Sequence, residues 1–148
     1  MLSQKAKYAL KAMIALAAEK DGELLQAADI AERQNVPRKF LELILLDLRK
    51  NGFVRSQRGK LGGYALAKPA DAITFGQIIR IMDGPLAPIP CASLTGYRRC
   101  ADCRDEKACA VRRTMREVRD AAAAILDGMT LSDAIGPEAA SIQAATGL

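Results

Sequence analysis

Four cysteines, Cys91, Cys100, Cys103 and Cys109, fall within nineteen positions of a 148-residue chain that has no other cysteine and no histidine. Soft thiolates at this density bind zinc, copper(I) or iron-sulfur clusters, or form disulfides, and the redox compartment decides between these uses. The first nineteen residues, Met1 to Glu19, carry Lys5, Lys7 and Lys11 and lack the continuous apolar core of an export signal. No apolar run approaches the roughly 18 to 20 residues that cross a bilayer. The expected setting is therefore the reducing cytoplasm, away from the membrane, where clustered thiols serve metal binding or redox sensing. Zinc favours four closed ligands, usually as two Cys-x-x-Cys hooks, and only Cys100 and Cys103 have that spacing. Thiol-disulfide sensing is open too, because Arg98, Arg99 and Arg104 can lower a neighbouring thiol's pKa. An iron-sulfur cluster, commonly held by four ligands, suits an all-cysteine set in a chain without histidine.

Thiols can sense only if something else responds, and the charge distribution points to the responder. The chain carries 22 Lys and Arg against 17 Asp and Glu. Residues 1–68 hold 13 basic and 7 acidic side chains, so the excess lies wholly in the first half, which is expected to face a polyanion. Aromatic residues make up 4% and Trp is absent, so a core of aliphatic helix faces is expected. Leu10, Met13, Ile14 and Ala17 recur at helical spacing and predict a helix over about 3–20, ended by Asp21-Gly22. A second helical pattern over Gln26–Gln34 breaks at Asn35-Val36-Pro37. Pro37 then opens the first turn of a third helix that carries Leu41, Ile44, Leu45 and Leu48 and stops at Asn51-Gly52. Two helices about three residues apart make a helix-turn-helix.

Phe53–Gln57 and Tyr64–Ala67 read as short strands flanking the basic, glycine-rich tip Arg58-Gly-Lys-Leu-Gly-Gly63, which is a wing. Thr74-x-x-Gln77 is a capping box that opens a helix ended by Gly84-Pro85. Beyond the cysteine loop, Val111, Met115, Val118, Ala122 and Ile125 predict a helix from about Glu106 to Leu126 with the seam of a two-stranded coiled coil. The predicted fold class is mainly α: a winged helix-turn-helix domain over 1–84 with a two-stranded wing, a cysteine-rich sensor loop over 85–105 with its last cysteine at 109, a long C-terminal dimerisation helix over 106–135, and a flexible tail over 136–148.

The second helix of a helix-turn-helix enters the major groove with its N-terminal residues, here Arg38, Lys39, Phe40 and Glu42, opposite the apolar stripe. Arg38 suits guanine, Glu42 cytosine N4 and Phe40 a thymine methyl. On the wing, Arg58 and Lys60 suit the minor groove and backbone. Double-stranded DNA is the expected partner. An enzyme or electron carrier is disfavoured by the lack of histidine, of a phosphate-binding glycine motif and of any nucleophile-base pair.

The segments Ser3-Gln-Lys-Ala-Lys-Tyr-Ala-Leu-Lys-Ala-Met13, Ala28-Asp-Ile-Ala-Glu-Arg-Gln34, Phe40-Leu-Glu42, Leu48-Arg-Lys-Asn-Gly52 and Arg58-Gly-Lys-Leu-Gly-Gly-Tyr64 resemble the iron-sulfur cluster regulator family of IscR, NsrR and RirA, over about residues 1–135. The resemblance implies a homodimer that crosses its long helices on a palindromic operator, in most cases as a repressor, and changes affinity with a 2Fe-2S or 4Fe-4S cluster. Three family cysteines lie in such a loop, the last two separated by five residues. Cys103 and Cys109 match that spacing, Cys91 stands for the first, and Cys100 is extra. The family's other donors, a histidine or an acidic residue of the first helix, are replaced by Arg112 and Lys7, which leaves Cys100 as the candidate fourth ligand.

Overall fold

Alanines make the first helix a packing hub. In the computed structural model, which describes residues 2–20 and 22–136, α1 (Gln4–Ala17) buries Ala6, Ala9, Ala12 and Ala15 beside Leu10, Met13 and Leu16, so neighbouring helices approach it closely. Ser3 caps α1 by accepting from the Ala6 N–H, and both its N–H and its hydroxyl donate to Asp83 at the end of the fourth helix. The helix stops at Ala17, short of the expected Lys20, where the pattern tightens and the Glu19 N–H bonds to the Leu16 carbonyl three residues back.

α2 (Ala27–Gln34) ends on Asn35 in the left-handed conformation, a residue type that tolerates positive φ there. α3 (Arg38–Lys50) then starts one residue later than expected, with Pro37 as its N-cap rather than in its first turn. Leu41, Ile44, Leu45 and Leu48 of α3 are buried, and with Met13, Ile30, Ile73 and Ile78 they form the centre of the core. Each such side chain contributes roughly 1.5–3 kcal/mol by leaving water.

The wing is the antiparallel pair β1 (Val54–Gln57) and β2 (Gly63–Leu66), in register Val54 to Leu66 and Gln57 to Gly63. A bridge between Leu25 and Tyr64 pins the wing to the segment before α2. Gly63, at φ +146°, lies where a Cβ would come within 2.5 Å of the Leu25 carbonyl oxygen, so only glycine allows that bridge. The capping box forms as expected: Thr74 Oγ1 accepts from the Gln77 N–H and Gln77 Oε1 accepts from the Thr74 N–H, opening α4 (Phe75–Asp83).

Two boundaries differ from the sequence reading. α5 spans Ala110–Gly128 rather than starting at Glu106, because the Asp105 carboxylate accepts from the Lys107 N–H and Cys109 caps the helix by accepting from the Arg112 N–H. Residues 106–135 are also not one helix. The chain extends at Met129 and Thr130 caps a short α6 (Leu131–Ala134), whose Leu131 enters the core of the winged body. Thr130 bridges Thr74, and the Leu131 N–H donates to the Ile73 carbonyl, so α6 packs with α1 and the segment that leads into α4. The expected flexible tail lies outside the described residues from position 137 onward.

Candidate functional site

The groove between α3 and the wing is the basic face. It encloses about 380 Å³ and is lined by Arg38, Glu42, Arg49, Gln57 and Arg58, with Gln26 at its edge. α3 presents Arg38 and Glu42 because they lie opposite its buried leucines, and the two pair across one turn at 3.2 Å while both remain exposed. An exposed pair of this kind contributes little to stability and leaves both groups free to exchange partners. Lys39 is exposed but does not line the groove.

Phe40 has a partner within the chain as well as an exposed edge. Its ring packs edge-on against Tyr8 of α1 at 5.6 Å, so only part of its surface faces out. Lys60 is exposed and is not among the groove-lining residues, while its carbonyl accepts from Gln26 Nε2 at 3.2 Å and holds the wing tip over the start of α2. Arg49 and Gln57 were missed by sequence reasoning. Arg49 Nη1 donates to Ser56 Oγ at 3.2 Å, fastening the end of α3 to β1. The register of β1 against α3, not any motif, brings them to the groove.

At the other end of the molecule, Cys91 lies buried on the one-turn helix Pro90–Ala92. Cys100 is exposed and its Sγ donates to Cys91 Sγ at 3.8 Å. That hydrogen bond, together with the electrostatic coupling to Cys91 and some desolvation, raises the Cys100 pKa above the ordinary thiol value. Cys103 and Cys109 are half-buried, and Cys109 is engaged as the cap of α5. Among the described residues, no group of three or more Cys, His, Asp or Glu is arranged to hold a metal ion. The structure therefore brings Cys91 and Cys100 into contact, and no three of the described thiols are arranged around one metal position.

Two arginines tie this turn to the long helix. Arg112 Nε donates to the Cys91 carbonyl at 2.9 Å, and Arg119 Nη1 donates to the Ala92 carbonyl at 2.6 Å. Their spacing of seven places both on one stripe of α5. Arg119 is the one buried residue of α5, at 8% exposure, whereas Val111, Val118 and Ile125 of its apolar stripe stand 63%, 46% and 71% exposed. A helix that buries an arginine and exposes its valines and isoleucine has an unfilled apolar face of two-stranded coiled-coil spacing. The far end of α5 is fixed to α4 by Arg80, whose guanidinium meets both Asp127 oxygens at 2.6 and 2.9 Å. Gly76 makes room for that pair, since a Cβ there would lie 2.0 Å from Asp127 Oδ1. The bond to Arg80 holds the Asp127 carboxyl below the usual carboxylate range.

A helix-turn-helix with a fastened wing, a basic groove between them and a long helix with an open apolar face define a winged-helix DNA-binding protein. Residues 2–137 match the model of the Rrf2 family, described as an iron-dependent transcriptional regulator, and the chain belongs to that family. Its members are transcription regulators that bind DNA, typically as dimers, and are not enzymes. The chain is 46% identical over 136 residues to an rrf2-like HTH-type transcriptional regulator of Rhodobacter capsulatus, covering 90% of this chain and 91% of that protein. Its fold is similar to that of CymR, the global cysteine regulator of B. subtilis, at TM-score 0.75 and 35% identity, covering 90% of this chain and 94% of the other. It is likewise similar to T. potens IscR, at TM-score 0.71 and 29% identity, covering 90% and 84%. No helix among the described residues is long and apolar enough to cross a membrane.

Proposed function

We propose that this regulator is a cytoplasmic homodimer that represses from a palindromic operator and whose DNA affinity is set by an iron-sulfur cluster on the cysteine loop. In this reading residues 1–84 bind DNA, 85–105 with Cys109 sense, and α5 within 106–135 joins the two subunits. The donor set fits the group in its chemistry: four soft thiols and no histidine suit iron and sulfide, and two of them already stand sulfur to sulfur. Cys91, Cys100, Cys103 and Cys109 would hold the cluster. When bound it supplies a centre whose charge and integrity depend on iron, oxidants or nitric oxide.

The observation that carries this reading is the clasp of Arg112 and Arg119 on the carbonyls of Cys91 and Ala92. It fixes the cysteine turn to the helix expected to lie at the two-fold axis. Because no three of the thiols are arranged around one metal position, gathering four requires residues 94–109 to rearrange against that fixed turn. Such a change biases two domain spacings differently, which is what a switch of DNA affinity requires. On the DNA side, Arg38, Lys39, Glu42, Arg58 and Lys60 contact the duplex, with part of Phe40. Protein purified without oxygen tests the sensor assignment: visible charge-transfer absorbance with iron and sulfide in near-equal amounts is expected. Zinc alone, or no metal, overturns it.

A further inference from the structure

The contact between Cys91 and Cys100 joins thiols of opposite accessibility. Cys91 is 4% exposed, and Cys100 is open to solvent. Both are held where they are by backbone. The Cys91 carbonyl accepts from Arg112 and the Ala92 carbonyl from Arg119, while the Arg98 N–H donates to the Pro90 carbonyl at 3.2 Å and closes the loop that returns Cys100 to Cys91. From 3.8 Å the sulfurs must close by about 1.8 Å to reach the ordinary disulfide length. The exposed residues 94–100 can supply that movement without disturbing the buried turn. Cys109 is committed to the Arg112 N–H as the cap of α5.

We propose that Cys91 and Cys100 form a specific, reversible disulfide within one chain when the cluster-free protein meets a peroxide, with the exposed Cys100 reacting first and the buried Cys91 resolving it. Exposure sets this order, since peroxide reaches Cys100 and not the buried Cys91, although the raised Cys100 pKa slows the attack. The Cys100 thiol gives up its proton, its sulfur attacks one peroxide oxygen, the O–O bond breaks, and a sulfenic acid and one water form. The Cys91 sulfur then attacks the Cys100 sulfur. The S–S bond forms, the S–O bond breaks, and the hydroxyl leaves as a second water with the Cys91 proton. Two thiols lose two electrons and two protons to one hydrogen peroxide, and a dithiol reductant reverses the change. This inference goes beyond the cluster reading, since it concerns the thiols of the chain without iron.

The test uses full-length protein, stripped of any metal, reduced, treated with hydrogen peroxide and then alkylated. Trypsin cuts after Arg98 and Arg99, which separates Cys91 from the peptide carrying Cys100 and Cys103, and cuts after Arg104 and Lys107 free Cys109. A linked peptide pair holding Cys91 and Cys100, lost on reduction, is expected. It should persist in Cys103→Ser and disappear in Cys100→Ser, an exposed position whose substitution leaves the core untouched. A link that survives Cys100→Ser, a link to Cys109 or between subunits, or oxidation of Cys100 with no link at all overturns the proposal. None of these outcomes bears on whether anaerobic protein carries iron and sulfide, so the two readings fail separately.

Discussion

Replacing Arg119 by Met keeps the length of the side chain's apolar stem and deletes its guanidinium, which isolates the clasp on Ala92. Two interactions are lost, and their exposures decide which matters. The ion pair to Asp120 at 2.7 Å involves a carboxylate whose side chain is 65% exposed, so it contributes little. The bond to the Ala92 carbonyl is buried at both ends, and its loss leaves an unsatisfied acceptor that costs about 1–3 kcal/mol. Arg119→Ala should cost about 1.6 kcal/mol more, since the two methylenes beyond Cβ go as well, each contributing roughly 0.8 kcal/mol. For a chain of this size the Met variant should melt roughly 3–10 °C lower. Urea unfolding followed by circular dichroism gives the stabilities, and amide hydrogen exchange locates the damage. The Arg98 N–H, whose bond to the Pro90 carbonyl depends on the fixed turn, should exchange faster even after the global loss is subtracted. A Met variant within 0.5 kcal/mol of wild type, or one whose Arg98 protection falls only with the whole molecule, would refute the clasp.

Val118→Glu places a charge at the middle of the exposed apolar stripe of α5 and is expected to split the dimer and weaken operator binding, read by sedimentation and by DNA titration. Arg38→Ala and Arg58→Ala remove groove-lining charges. Each lost phosphate contact should flatten the salt slope by roughly 0.9, and each lost base contact should relax specificity by about 1–3 kcal/mol. Because Arg80 depresses the Asp127 pKa, their link stabilises the fold above the ordinary carboxylate value of 3.8 and is lost as pH falls through the lowered one. Arg80→Gln should therefore flatten the acid limb of a stability-pH profile measured by urea unfolding, modestly, since both groups are exposed.

The elements that carry local signals were legible. The stripe Leu41, Ile44, Leu45 and Leu48, the Thr74 and Gln77 capping box and the stop at Asn51-Gly52 each rest on contacts within a few residues, and each appears where its spacing puts it. Gly52 takes positive φ, as such a stop requires. The start of α5 was misplaced because Asp105 and Cys109 redirect backbone donors that the apolar period does not register. α6 was hidden because its four residues are too few for a period, and its place is fixed by Leu131 in a core built elsewhere in the chain.

Within the site, the outward faces of α3 followed from its apolar stripe, but the sequence does not show that Tyr8 of α1 packs against the Phe40 ring. The clasp had one unread signal. Arg112 and Arg119 are seven apart and directly follow Val111 and Val118, so they form a second stripe beside the apolar one. Spacing alone gives that stripe no reason to be buried. Only the fold supplies the carbonyls of Cys91 and Ala92 as its partners. The pairing of Cys91 with Cys100 was likewise out of reach, since it depends on a loop closed by a backbone bond from Arg98 to Pro90.

The most direct test of the account compares operator binding by one preparation before and after its cluster is removed without oxygen. If the cysteine loop governs the winged domains through α5, affinity for a palindromic operator should change by about tenfold or more, a coupling of roughly 1.4 kcal/mol, while affinity for unrelated duplex changes far less. The same comparison in Arg119→Met, still dimeric and still holding its cluster, should show that coupling reduced. Equal operator affinity with and without the cluster, in protein shown to carry iron and sulfide, would contradict the account.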